Sequence, residues 1–218
     1  MMRVSLAVPA FLVCALSASA AELTPRELER RCHDYTLAAE MQSAACTQLI
    51  PLYGDRVETI GIKALAHLAR GTAYRRSGDA ARSDADFREA IRLDTIPLQS
   101  GSMEALLYND RCWVRAIAMI ESDLALADCN EALRLRPNFS AALDSRAFLQ
   151  LKRGQYREAL VDYEAVLKES PKDPYSIFGR GVAKLRTGDA AGGNADLVAA
   201  TVLQSGLREE FAAYGVTP

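Results

Sequence analysis

Hydrophobic and polar positions along this chain recur in four segments that align: ARGTAYRRSGDAARSDADFREAI, DRCWVRAIAMIESDLALADCNEAL, SRAFLQLKRGQYREALVDYEAVL and GRGVAKLRTGDAAGGNADLVAA. Each opens on arginine and a small residue: Arg70-Gly71, Arg111-Cys112, Arg146-Ala147 and Arg180-Gly181. Each later carries aspartate before a packing residue: Asp86-Phe87, Asp128-Cys129, Asp162-Tyr163 and Asp196-Leu197. The first markers step by 41, 35 and 34 residues and the second by 42, 34 and 34. Every unit therefore reads as two helical runs, the small residue letting antiparallel helices approach and the larger one filling the gap. Ala90, Ala132, Ala159 and Ala200 add further small packing positions.

Punctuation agrees with that pattern. SGD at 77–79, RGQ at 153–155 and TGD at 187–189 put glycine where a helix must turn back through left-handed geometry. The second unit departs, with Cys112 at the small position and a turn, IESD, that has no glycine. Pro137 and Pro171 fall between units, where proline ends one helix and opens the next. The longer first connections predict extended helices near 56–76 and 102–118. Upstream, LTPRELERR offers Thr24 as a cap, Pro25 in the first turn and Glu27 three residues on, the signature of a capping box. Downstream, SGLREEFAAYGV predicts a last helix ending at Gly215 that closes the final unit's apolar face.

A period settling at 34 with two helices per unit resembles the tetratricopeptide repeat. The resemblance covers residues 56 to about 205 and implies an all-α right-handed α-solenoid of tetratricopeptide helix-turn-helix repeats with a C-terminal capping helix. The expected organisation is a signal peptide over 1–20, a helical partial repeat over 21–55, four helix pairs over 56–205, and a capping helix and tail over 206–218. The stretches NDRCW, LADC, AACTQLI and EEFAAYGV are similar to exported repeat proteins of alphaproteobacteria.

The start of the chain fixes the expected compartment. Residues 1–20 combine Arg3, an apolar run from Val4 to Leu16 and the small residues Ala18-Ser19-Ala20, the layout of a cleaved secretory signal. The run is short for a membrane span and contains Pro9, so a soluble periplasmic or secreted chain starting at Ala21 is expected, without stable membrane insertion. Removing it leaves 25 basic against 28 acidic residues, a net charge of −3, and four of the five cysteines. That charge gives no footprint for nucleic acid. For Cys32, Cys46, Cys112 and Cys129, disulfide staples are favoured over free buried thiols, metal ligation or redox chemistry. Cys112 and Cys129 face each other at opposing packing positions of one hairpin, and Cys32 and Cys46 fasten the leading partial unit by the same logic.

The remaining chemistry is sparse. His33 and His67 sit in no nucleophile motif, and the chain carries no phosphate-binding loop, H-E-x-x-H or C-x-x-C. No cofactor and no metal is expected. The four Arg/Asp markers pair across each hairpin as Arg70–Asp86, Arg111–Asp128, Arg146–Asp162 and Arg180–Asp196, a structural reading preferred to a basic ladder. By resemblance, the first helices line a concave groove whose wall includes Leu68, Thr72, Arg75, Asn109, Trp113, Asp144, Phe148, Leu151, Tyr175, Phe178 and Val182. Aromatics beside Arg75, Arg76, Lys152 and Arg186 point to a protein or peptide partner. The asparagine and basic pattern of chaperone-tail clamps is not matched. The leading expectation is a non-enzymatic periplasmic adaptor or scaffold; a small secreted enzyme or metal protein on this scaffold, and a self-associating structural unit, are the alternatives.

Overall fold

In the computed structural model, residues 23–54, 56–99 and 104–218 are described, apart from the side chains at 57, 58 and 99. The signal expected over 1–20 lies outside them. The described residues form eleven α-helices: α1 Pro25–Cys32, α2 Ala39–Leu49, α3 Val57–Arg76, α4 Ala80–Gln99, α5 Ala105–Ala118, α6 Ser122–Leu135, α7 Ser140–Lys152, α8 Tyr156–Glu169, α9 Pro174–Thr187, α10 Ala190–Leu203 and α11 Leu207–Ala213. A 3₁₀ turn, Ile50–Leu52, follows α2. Consecutive helices pack as antiparallel pairs, and successive pairs stack on one another into an all-α helical-repeat solenoid.

The local causes are visible at each boundary. Thr24 accepts the amide of Glu27 at 3.3 Å and opens α1. Asp173 caps α9 by accepting the amide of Ser176 at 2.8 Å, with Pro174 in the first turn. Gly78, Gly154 and Gly188 take φ of 81°, 74° and 99° at the turns inside three pairs. The pair α5–α6, whose turn has no glycine, forces Met119 and Glu121 to φ of 55° and 50° instead. A left-handed non-glycine residue costs roughly 1–2 kcal/mol, so this turn carries strain that its neighbours avoid.

Two details differ from the sequence reading. The expected long helix near 56–76 is α3, but the second long helix is α4 rather than α5. The added turns of α4 bring Leu93 and Ile96 against Ile60 and Ala64 on the opening of α3, and that shared apolar patch extends both helices together. Pro97 sits inside α4, where it removes the hydrogen bond an amide there would donate to the Leu93 carbonyl. The second detail concerns α11. It closes the inner face of α9, while the outward face of α10 stays open, with Val198 and Val202 65% and 80% exposed.

All four marker pairs meet. The Nε–Oδ2 distances are 2.8 Å for Arg70–Asp86, 2.9 Å for Arg111–Asp128, 2.7 Å for Arg146–Asp162 and 2.8 Å for Arg180–Asp196, each with a second parallel bond. The first three arginines do more than close their own hairpins. Their Nη1 atoms donate to Thr47, Thr95 and Asn130, each on the second helix of the preceding pair. One guanidinium thus ties three helices, using a fork geometry that lysine cannot reproduce. Burial pushes the Asp86 carboxyl up, but hydrogen bonds from Arg70 and His67 outweigh it and hold Asp86 below the usual range. His67, the histidine with a carboxylate partner at 2.8 Å, is therefore buried in this ion-pair layer.

The four cysteines among the described residues lie in two pairs. Cys32 stands against Cys46 with Cα atoms 4.7 Å apart, and Cys112 against Cys129 with Cα atoms 5.4 Å apart, both within disulfide reach. All four are fully buried.

Candidate binding face

The eleven groove positions read from the sequence all fall on α3, α5, α7 and α9, the first helices of the four pairs. α5 packs on α7 and α7 on α9, and Leu68 of α3 belongs to the same apolar cluster as their inner side chains. Neighbours are stitched by polar bridges that use two of those positions. Ser145 donates to Asn109 at 3.0 Å, linking α7 to α5, and Ser176 donates to Asp144 at 2.7 Å, linking α9 to α7. Burial moves the Asp144 carboxyl up to about 6, against the Ser176 hydrogen bond.

The aromatic positions form one connected cluster. Trp113 meets Phe148 with centroids 5.0 Å apart. Phe148 and Phe178 are buried to 2% and 0% exposure, and the residues that cover them come from α11 and the chain just beyond it. Phe211 lies 4.5 Å from Phe178 and 5.8 Å from Phe148, and stacks on Tyr175 at 6.4 Å. Tyr214 stands edge-on to Trp113 and Phe148 at 6.1 and 6.0 Å. Leu68, Thr72, Asn109, Leu151 and Val182 are likewise buried, whereas Arg75, Trp113, Asp144 and Tyr175 stay half-buried. Aromatic pairs of this kind contribute about 0.5–1.5 kcal/mol each beyond their buried area.

The basic side chains of the face are engaged with backbone carbonyls. Arg75 Nη1 and Lys152 Nζ both donate to the Ile117 carbonyl at 2.6 Å, satisfying the end of α5, where helix dipoles favour cations. Burial, then the adjacent Arg75, brings the Lys152 ammonium down to about 7. Arg76 donates to Gln42 Oε1 and to the Leu37 carbonyl, and Arg186 to the Thr217 carbonyl.

A cavity of about 510 Å³ opens between the α1–α2 loop and α11. Tyr35, Arg76, Tyr175, Gln204, Glu210 and Tyr214 line it, among others. Gln204 donates to the Tyr175 hydroxyl at 2.8 Å, which donates to Glu210 at 3.2 Å; Tyr214 donates to the other oxygen of Glu210 at 3.3 Å. Burial raises the Glu210 carboxyl, and burial together with Glu210 pushes the Tyr35 phenol up to about 12. Tyr35 and the α11 anchors were not among the residues singled out from the sequence. The spacing Leu207, Phe211, Tyr214 was the available signal, since these positions share one helical stripe. Among the described residues, no group of three or more His, Cys, Asp or Glu is placed to hold a metal, and no helix is long and apolar enough to cross a membrane.

Comparisons with known proteins agree with this architecture. A relative named serine/threonine-protein phosphatase T, from Trypanosoma brucei brucei, is 28% identical over 112 residues, which is 50% of this chain and 23% of that protein. Protein STIP1 homolog from Dictyostelium discoideum is 26% identical over 102 residues, 47% of this chain and 18% of that protein. The chain therefore spans less than a quarter of the length of each of these two curated relatives. Among solved structures, PilW, a widely conserved type IV pilus biogenesis factor, superimposes with a TM-score of 0.54 at 15% identity, covering 89% of this chain and 88% of PilW. The tetratricopeptide repeat family model matches residues 64–96, a span that begins within α3 and runs into α4. The chain is an all-α helical-repeat solenoid whose residues 64–96 match the tetratricopeptide repeat family model.

Proposed function

We propose that this chain is a non-enzymatic adaptor that binds a protein or peptide through the concave face of α3, α5, α7 and α9. Tetratricopeptide-type folds characteristically serve as protein- or peptide-binding scaffolds, which supports the reading at the level of the fold. The observation that carries it is specific to this chain: four first helices present one continuous aromatic and aliphatic surface, and that surface accommodates a helical segment. Large aromatics at the centre of a concave patch are the residues that dominate binding energy at protein interfaces. The eleven groove positions, from Leu68 to Val182, are the proposed contact set.

The compartment belongs to the same proposal. The apolar residues 4–16 with the small residues before Ala21, and two buried cysteine pairs, support an exported, oxidised protein. N-terminal sequencing of protein purified from cells is expected to begin near Ala21; an intact Met1 or retention in the membrane fraction contradicts export. The binding function is tested by chemical cross-linking in intact cells followed by mass spectrometry. Tyr175→Arg, at the half-buried inner face, is expected to abolish the partner cross-link, and Val161→Arg, 65% exposed on α8, to leave it intact. Equal capture by both variants sinks the concave face as the binding surface.

A further inference from the structure

We propose that the concave face is a receptor for a short amphipathic helix, that α11 is its intramolecular occupant, and that a partner helix of the same signature must displace α11 to bind. The inference rests on the adaptor reading and adds to it the class of partner and the step that controls access.

The placement of α11 is the first argument. Phe211 and Tyr214 reach side chains of α5, α7 and α9, and α11 also lies against α3, so one short segment touches all four first helices. A helix whose purpose was to cap the stack would cover the outward face of α10, where Val198 and Val202 remain exposed. Instead the chain breaks at Gly206, with φ of 84°, and turns inward. Seven helical residues are far below the length at which a helix holds itself together in water, so the order of α11 comes from the surface it lies on.

The anchors give the second argument. Leu207, Phe211 and Tyr214 are 0%, 3% and 5% exposed, while Arg208, Glu209 and Ala212 face solvent. Spacing of i, i+4 and i+7 is how an amphipathic helix seats in an apolar groove. Register is set by Glu210, whose carboxylate accepts from the hydroxyls of Tyr175 and Tyr214. A partner fitting this face is therefore a helix with bulky apolar anchors at that spacing and an acidic residue immediately before the central aromatic. Because α11 is tethered, it competes at a high effective concentration, and a partner's apparent affinity falls by the fraction of molecules in which the face is open.

The test uses a fluorescein-labelled synthetic peptide of residues 205–218, followed by polarisation against the full chain and against the full chain carrying Phe211→Ala and Tyr214→Ala. Weakening the tethered occupant is expected to tighten peptide binding by at least about tenfold over the unmodified chain. A control peptide with alanine at both aromatic positions is expected to bind neither protein. Circular dichroism checks that the variant keeps its helicity. If the double variant does not fold, the single Tyr214→Ala chain, which retains Phe211 against Phe178, is used in the same titration with the same direction expected. A folded variant that binds the peptide no better than the unmodified chain, or that binds both peptides equally, overturns the inference. That failure leaves the cross-linking difference between Tyr175→Arg and Val161→Arg intact, whereas failure of the adaptor reading removes that difference.

Discussion

Replacing Gly179 by alanine isolates the close approach of two neighbouring pairs, because a second glycine supplies its control. Gly179 lies on α9, and an added Cβ would stand 2.2 Å from Cζ, 2.4 Å from Oη and 2.7 Å from Cε2 of Tyr163 on α8. Tyr163 is 1% exposed, so its ring has no solvent to swing into. In an unobstructed helix interior, glycine to alanine gains about 0.5–1 kcal/mol from backbone entropy and propensity. Overpacking a filled core costs about 1–3 kcal/mol, and an overlap this deep against a rigid ring belongs at the upper end. The net expectation for Gly179→Ala is a loss of about 2–2.5 kcal/mol, or roughly 4–10 °C in Tm for a chain of this size. Gly61→Ala on α3 meets nothing within 4 Å and is expected to raise stability by about 0.5–1 kcal/mol. Thermal and urea melts of the two variants side by side decide the matter. A Gly179→Ala protein as stable as the parent, or a Gly61→Ala protein destabilised by the same amount, refutes the packing argument.

Three further predictions concern single contacts. The Asp144 carboxyl titrates near 6 in the folded chain, against about 3.9 unfolded, so the folded state binds the extra proton and its stability falls as pH rises through that window. Asp144→Asn should match the parent below pH about 4 and exceed it above pH about 6 by at most about 3 kcal/mol; a gain independent of pH in urea melts contradicts this. Replacing Cys112 and Cys129 together by alanine should cost about 3 kcal/mol for their 17-residue separation, with reductant then having less effect on the variant's melt than on the parent's. Met119→Gly should stabilise the α5–α6 turn by about 1 kcal/mol by relieving its φ of 55°, and an unchanged or lowered Tm argues against strain there.

Contacts inside a unit were legible in the sequence because each repeats at a fixed spacing. Arg146 and Asp162 are sixteen residues apart, as are Arg70 and Asp86, and both pairs close their hairpins. Gly78, Gly154 and Gly188 marked three turns for the same reason: left-handed geometry after a helix nearly demands that residue. Contacts between units left no such mark. Thr47, Thr95 and Asn130 receive the third arm of the arginines, yet nothing distinguishes them from other polar helix residues before the stack is assembled. The length of α4 depended on a patch shared with α3, which no single-helix pattern encodes. The groove positions, taken from the family resemblance, fall on the first helices of the four pairs. Their covering by Phe211 and Tyr214 follows from the direction the chain takes after Gly206, which a local pattern does not specify.

The inner faces of α3, α5, α7 and α9 are the proposed meeting surface for another protein. Hydrogen exchange of the full chain, alone and saturated with the partner recovered by in-cell cross-linking, maps that surface directly. Binding is predicted to slow exchange along residues 68–75, 109–117, 144–152 and 175–182, and to speed it along 208–216 as α11 is released. Protection confined to the second helices, Ser122–Leu135, Tyr156–Glu169 and Ala190–Leu203, with the inner faces and α11 unchanged, would contradict the account.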